Sequence, residues 1–243
     1  MTGDGQRVLW VTGAGSGMGE AAAVAAAGHG WCVAHSGRRA DRLEETAQRV
    51  DAAGGASLVL PMDTRDATAI RDGHATVQQR WGGVTDLVLS AGHNMPARYW
   101  RDQSIDEFSQ VVATNLTGVA AMVDAVLPDL RDSAGGHVVV ISSYAAWRFS
   151  PHSGVAYAAS KTALVALCAT LNEQEAPHGV RACHLCPGEV DSEFLSLRPQ
   201  VPGSEARAVM LTPDDVARAV LFVLESPPHV RIDELVISPV AQH

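Results

Sequence analysis

Short apolar runs alternate with longer alanine-rich or amphipathic stretches from one end of the chain to the other. Runs such as Val8-Leu-Trp-Val11 and Val138-Val-Val-Ile141 are apolar throughout, the pattern of strands covered on both faces of a parallel sheet. Strands are expected at Arg7–Val11, Trp31–His35, Ser57–Leu60, Asp86–Ser90, His137–Ser142, Val180–Cys186 and Glu234–Ser238. Helical periodicity fills Met18–Gly28, Ala40–Ala53, Asp66–Trp81, Ile105–Leu130, Gly154–Ala176 and Pro213–Leu224. Ser104-x-x-Glu107 reads as a capping box, and Thr212-Pro213-Asp214-Asp215 as a cap followed by proline and first-turn acids. Unbroken strand–helix alternation predicts one doubly wound α/β domain over residues 1–243, with a seven-stranded parallel sheet and helices on both faces.

Three segments break the rhythm: Ala91–Gln103, Tyr144–Ser153 and Glu189–Leu211. Each follows a strand and so belongs at the carboxyl edge of the sheet, where open α/β sheets bind ligands. Residues 189–211 are long for a connection and are the candidate substrate lid.

Composition narrows the classes. With 47% apolar and 19% charged residues the chain is globular, and its net charge of −9 argues against nucleic acid as a partner. The four cysteines and the absence of a secretory apolar segment at the start argue against a disulfide scaffold, and no apolar run is expected to reach the ~20 residues of a membrane span. The expectation is a cytoplasmic protein. Arginine outnumbers lysine 17 to 1, so the single lysine, Lys161, is a residue whose compact ammonium has a task of its own.

Two motifs carry chemistry. The first strand leads into Thr12-Gly13-Ala14-Gly15-Ser16-Gly17-Met18-Gly19 and then a helix, a turn in which glycines let the backbone approach a pyrophosphate at a helix N-terminus. Tyr157 and Lys161 stand four apart at a helix start, so phenol and ammonium share one face. A phenol titrates near 10, and a neighbouring cation lowers it toward a useful range. Upstream, a strand ends in Ser142-Ser143, whose hydroxyls can meet a substrate oxygen.

Taken together these residues resemble the short-chain dehydrogenase/reductase family along essentially the whole chain. The family's TGxxxGxG matches Thr12 to Gly19, and its N-A-G matches Ser90-Ala91-Gly92 with serine in place of asparagine. Its helix-four asparagine matches Asn115, its serine Ser143, its Y-x-x-x-K Tyr157 and Lys161, and its P-G-x-V-x-[ST] Pro187 to Ser192. The resemblance implies a catalytic set of Asn115, Ser143, Tyr157 and Lys161, with Tyr157 exchanging the proton. It implies coenzyme contacts from Gly13, Gly15, Ser16, Gly17, Met18, Gly19, Asp63, Ala91, Gly92, Tyr157, Lys161, Pro187, Gly188, Val190 and Ser192.

NAD-preferring relatives end the second strand in an acid that takes the ribose hydroxyls. Gly37 stands at that position here and Arg38-Arg39 follow, so NADP(H) is expected, with Arg38 the main ligand of the 2′-phosphate and Ser36 and Arg39 assisting. The function implied is an NADP(H)-dependent oxidoreductase interconverting a secondary alcohol and a ketone or aldehyde. A dinucleotide-binding regulator that lost turnover is the alternative, and retention of all four catalytic positions speaks against it. Candidate substrate contacts on the rim are His93, Asn94, Tyr144, Trp147, Phe149, Glu189 and Phe194, with Trp100 a further rim aromatic. No metal is expected: Cys183 and Cys186, three apart on a strand, face opposite sides. Surplus apolar residues on Ile105–Leu130 and Gly154–Ala176 suggest that these helices pair across a two-fold axis in a homotetramer, or a dimer, as in the family.

Overall fold

The computed structural model describes residues 6–133 and 135–242. Seven parallel strands form one sheet in the order β3-β2-β1-β4-β5-β6-β7. They are β1 (Val8–Thr12), β2 (Cys32–Gly37), β3 (Ala56–Pro61), β4 (Asp86–Leu89), β5 (His137–Ile141), β6 (Arg181–Pro187) and β7 (Glu234–Ile237). The doubly wound α/β class expected from the pattern is the observed one.

Strand alternation feeds two cores. One face presents Trp10, Leu87, Val138 and Val140 to α3 (Ala67–Trp81), α5 (Gly118–Asp132) and α7 (Val155–Gln174). The other presents Leu9, Val11, Val88 and Val139 to α1 (Gly17–Ala27), α2 (Ala40–Ala52) and α9 (Pro213–Leu224). The strand order reverses between β1 and β4, which opens a crevice at their carboxyl ends.

The capping box expected at Ser104 forms, and the cap expected at Thr212 is a second one. Ser104 caps α4 (Ile105–Val112) and Thr212 caps α9, each with its reciprocal carboxylate at the third helical position. The structure departs from expectation at the helix foreseen over Ile105–Leu130. It is two α-helices, α4 and α5, joined by a π-turn at Ala113–Thr117 in which the Gly118 N–H donates to Ala113 five residues back. The rim segments hold short elements that sequence periodicity missed: α6 (Tyr144–Trp147), a 3₁₀ turn at Glu193–Leu197 and α8 (Ser204–Arg207).

The expectation of no apolar run near membrane-spanning length needs correcting. Ile105–Asp132 and Val155–Gln174 are long and apolar enough by composition, with mean hydropathy of 1.5 and 1.2 over their best windows. In the structure both lie against the sheet, with Met122, Val126, Leu164 and Leu171 buried. They are apolar on their outward faces too, which is why the windows score so high.

Candidate active site

The crevice between β1 and β4 is built by close backbone approach. Thr12 Oγ1 accepts from the N–H groups of Ser90 and Ala91, both at 3.2 Å, and ties the two strand ends together. Gly13 has φ +66°, and a Cβ there would lie 2.7 Å from the Ala91 nitrogen. A Cβ on Gly19 would come within 2.5 Å of the Gly13 carbonyl oxygen. These glycines therefore set how tightly the turn folds against its neighbours. The Ser16 side chain makes no capping bond to α1, so the first-turn N–H groups of that helix have no side-chain cap at the crevice. The crevice has a volume of about 220 Å³ and is lined by Gly13, Gly15, Ser16, Gly17 and Met18 on one side and by Ala91 and Gly92 on the other.

Charge collects at the far end. Arg38 lines the crevice and makes no ion pair among the described residues. Arg39 donates to Ser16 Oγ at 3.2 Å and pairs with Glu193 at 3.0 Å, and Arg42, one turn along α2, holds the same carboxylate at 3.1 Å. Asp63 also lines the crevice; its hydrogen bond from Arg65 keeps its carboxyl below the usual range, helped by the charges of Arg65 and Arg38. Ser36 does not belong to this group. β2 runs two residues further than expected, so Ser36 is an interior strand residue, fully buried, accepting from Trp10 Nε1 at 3.1 Å and donating to the Val11 carbonyl. Its expected role as a phosphate ligand is overturned by that burial.

The reactive groups meet where β5 ends. Lys161 is buried and its Nζ donates to the Ile141 carbonyl at 2.8 Å, 5.9 Å from the centroid of the Tyr157 ring. Burial pulls the Lys161 ammonium down to about 8. Burial pushes the Tyr157 phenol above its ordinary value, against a hydrogen bond with Ser143 and the charges of Arg198 and Arg98. The expectation of a lowered phenol is thus reversed in the chain by itself, because desolvation outweighs the nearby cations.

Asn115 sits in the π-turn, fully buried. Its Oδ1 accepts from the His93 N–H at 2.7 Å and its Nδ2 donates to the His93 carbonyl at 2.9 Å and to Ser160 Oγ at 3.2 Å. A Cβ on Gly92 would lie 3.8 Å from both Asn115 Oδ1 and Lys161 Nζ, so the two polar groups flank that glycine. Ser160 was not foreseen, although its place within Tyr157-Ala-Ala-Ser-Lys161 put it on the site's helix.

A second chamber of about 890 Å³ adjoins this point and shares Ser142, Tyr157, Ser192 and Phe194 with the crevice. Among the expected substrate contacts, Asn94, Tyr144, Phe149, Glu189 and Phe194 line it. Asn94 is a buried brace whose Nδ2 donates to the Ser153 carbonyl at 2.9 Å, and Phe194 stacks 5.9 Å from the Tyr157 ring.

Two expected contacts fall elsewhere. His93 lines the crevice beside Arg38, and Trp147 turns away to pack edge-on against Tyr144 and beneath Arg148. Trp100 is likewise exposed and lines neither cavity. Pro187, Gly188 and Val190 line the chamber and not the crevice. Gly188 lies beneath the end of the chain, where a Cβ would press on Pro239 and Gln242. Arg98 and Arg198, both on the chamber wall, were missed, since nothing local to either residue signals its place.

The two strand cysteines do face opposite ways: Cys183 joins the core under α9, and Cys186 turns to the α7 side. There Cys186 Sγ lies 3.3 Å from His184 Nδ1, which in turn lies 3.1 Å from Glu234 Oε1. Burial pushes the Cys186 thiol up to about 12.

The strand order reverses over a glycine-built crevice, with serine, tyrosine and lysine beside it. Residues 7–200 match the family model described as short chain dehydrogenase, and the chain belongs to that family. It is 30% identical over 234 residues to an uncharacterized oxidoreductase of Staphylococcus aureus strain N315, covering 96% of this chain and 97% of that one. Its fold superposes with a TM-score of 0.86 on an alcohol dehydrogenase from the archaeon Thermococcus sibiricus complexed with 5-hydroxy-NADP, at 31% identity and 98% coverage of each chain. It superposes with a TM-score of 0.87 on the closed form of serine dehydrogenase complexed with NADP+, at 29% identity over 97% of this chain and 96% of that one. The protein is an oxidoreductase of the short-chain dehydrogenase/reductase family.

Proposed function

We propose that the protein interconverts a secondary alcohol and a ketone or aldehyde with NADP(H) as coenzyme. The observation that carries the reading is the convergence of Ser143, Tyr157 and Lys161 at the mouth of a glycine crevice whose far end holds Arg38. The residues fit a dinucleotide. Gly13 and Gly19 leave room only for backbone, and the uncapped start of α1 suits a pyrophosphate. Arg38 is free of ion pairs among the described residues, Arg39 stands beside it, and no carboxylate occupies position 37. Two relatives of known structure hold NADP+ or 5-hydroxy-NADP, and another, from Mycobacterium paratuberculosis, is bound to NAD.

When bound, the coenzyme supplies the hydride donor or acceptor. The chain's own residues handle the proton. In oxidation, Tyr157 takes the proton of the substrate hydroxyl while the carbinol carbon gives up its hydrogen with two electrons. Ser143, which lines the chamber with Tyr157, orients the substrate oxygen. Below about pH 8 Lys161 is charged and favours the phenolate form in which Tyr157 must stand to take that proton. Asn115 fixes the His93 backbone against the crevice floor.

The segment 189–211 serves as the substrate lid of this one domain. The outward apolar faces of α4, α5 and α7, where Ile105 and Val165 are exposed, pair in a homotetramer, and the enzyme works in the cytoplasm on a small molecule.

A panel of secondary alcohols and ketones assayed at the nicotinamide band with NADP(H) and NAD(H) tests the reading. The expected result is turnover with NADP(H) favoured by at least tenfold in kcat/KM, and loss of most of that preference in Arg38→Ala. Turnover that favours NAD(H), or a preference untouched by the substitution, overturns the coenzyme assignment.

A further inference from the structure

The chain carries a net charge of −9, yet the charged side chains on the wall of the substrate chamber are three arginines, Arg98, Arg101 and Arg198, and one acid, Glu189. The three arginines are not equivalent. Arg101 reaches outward, mostly exposed, toward Asp102. Arg98 is only 4% exposed and has no carboxylate partner among the described residues. Its Nε donates to the Met95 carbonyl at 2.9 Å, one terminal nitrogen to that of His152 at 3.4 Å, and the other to that of Leu197. Those carbonyls come from three separate rim segments, so Arg98 is pinned in the wall. They solvate the guanidinium without cancelling its charge. Buried charges are ordinarily paired with an opposite charge, and here the pairing is missing on the wall of a cavity that opens to the reacting phenol.

Arg198 pairs with Glu189 at 3.0 Å, and with side chains 35% and 44% exposed the pair lies open to water and is weakly held. The charges of both Arg198 and Arg98 are felt at the Tyr157 phenol, the atom that must meet the substrate hydroxyl. With Arg198 balanced by Glu189, the inner wall keeps an excess of one positive charge.

We propose that this wall is an anion subsite, and that the substrate is a short hydroxy acid (or its keto acid) whose carboxylate is held by Arg198 against the field of Arg98. This rests on the alcohol–ketone reading above. The redox balance is unchanged: the carbinol loses a hydride to the coenzyme and a proton to Tyr157, and the carboxylate stays intact. An excess of one charge matches a carboxylate better than a phosphate dianion. Glu189 competes with the substrate for Arg198, so the two acids exchange places on binding.

The test uses lactate, 3-hydroxybutyrate and 4-hydroxyvalerate, each against its uncharged amide, with the protein loaded with NADP+. For the best acid of the series, kcat/KM should exceed that of its amide by at least tenfold. In Arg198→Gln this ratio should fall by about tenfold or more, chiefly through KM for the acid, while coenzyme affinity read by NADPH fluorescence holds. Glu189→Gln should move the ratio the other way, because it removes the competitor. Calorimetric binding of the same acid to the NADP+-loaded protein should weaken about tenfold in Arg198→Gln. An amide used as well as its acid, or a ratio that neither substitution moves, overturns the proposal. Acid binding that depends on Arg198 without any turnover upholds the subsite and counts against the oxidoreductase reading instead.

Discussion

The two edges of the sheet both bury charge and treat it in opposite ways. At the amino edge, where β1, β4 and β5 begin, Asp86 is buried and surrounded. It accepts from Arg7 at 2.6 and 3.0 Å, from Thr85 Oγ1 at 2.8 Å and from the His137 N–H at 3.3 Å, with the His137 imidazole 3.2 Å away. Burial by itself would push the Asp86 carboxyl up, and the bonds from His137 and Arg7 reverse it to below the usual range. At the carboxyl edge, the Lys161 ammonium has one hydrogen-bond partner among the described residues, the Ile141 carbonyl, and burial wins. A buried charge with a full set of partners holds strands in register. One left short of partners keeps free energy in reserve for a ligand or a proton.

The difference can be broken from either side. The largest effect is expected from Tyr157→Phe, which removes one hydroxyl from the carboxyl edge. Turnover should fall by at least ~10²-fold and up to ~10⁴-fold, with NADPH binding and thermal midpoint within error of wild type. Rates close to wild type would remove Tyr157 from the chemistry.

The converse substitution is Asp86→Asn at the amino edge. It should cost about 3 kcal/mol, or roughly 6–12 °C in thermal midpoint, while kcat of the folded enzyme is retained. Its pH signature follows from the depressed carboxyl. The stability that Asp86 lends is complete above the ordinary carboxylate range and drains away as pH falls through that range toward the native value, so the wild-type melting temperature should drop with acid more steeply than that of Asp86→Asn. Parallel curves would show that the cluster is not what acid attacks.

The smallest effect should come from Lys161→Met followed by melting instead of rate. The native ammonium titrates at about 8, below its unfolded value, so the unfolded chain binds more protons between those two pH values and wild-type stability climbs with pH there. Lys161→Met should lack that climb and melt at or a few degrees above wild type near neutral pH. A clear loss of stability would mean that Lys161 is held as tightly as Asp86 and that the contrast between the edges is false.

The same contrast explains what could be read from the chain. The seven strands were legible because apolar runs such as Val138–Ile141 need cover on both faces, as a doubly wound parallel sheet provides. The glycines, Ser143, Tyr157 and Lys161 were legible because local spacing already puts them at strand ends or on one helical face, and Asn115 only through the resemblance to the family. Ser36 was misread for want of a register. Its pairing with Thr12 on one side and Leu60 on the other shows that β2 continues past His35 and carries Ser36 beneath Trp10. Trp147 and His93 were assigned by loop, and a loop's side chains can face either cavity or neither. Arg98 is the plainest case: its role depends on three carbonyls 3, 54 and 99 residues away, and no local pattern encodes that.

The π-turn at Ala113–Thr117 amounts to a single residue of excess length. A helix of regular pitch running from α4 into α5 would reach the same place with one residue fewer, and the apolar stripes on either side, Val111 before and Val119, Met122 and Val126 after, would stay in phase with the sheet. The extra residue therefore carries no burden in the packing of the two flanking helices. It widens one turn, and Asn115 sits at that widened turn, reaching across to the His93 backbone. Fold and site thus draw on the same helix as separable accounts of length. Deleting Thr114 would return the helix to uniform pitch with its seam against the sheet closed, and the asparagine would be carried out of line with the backbone it now fastens.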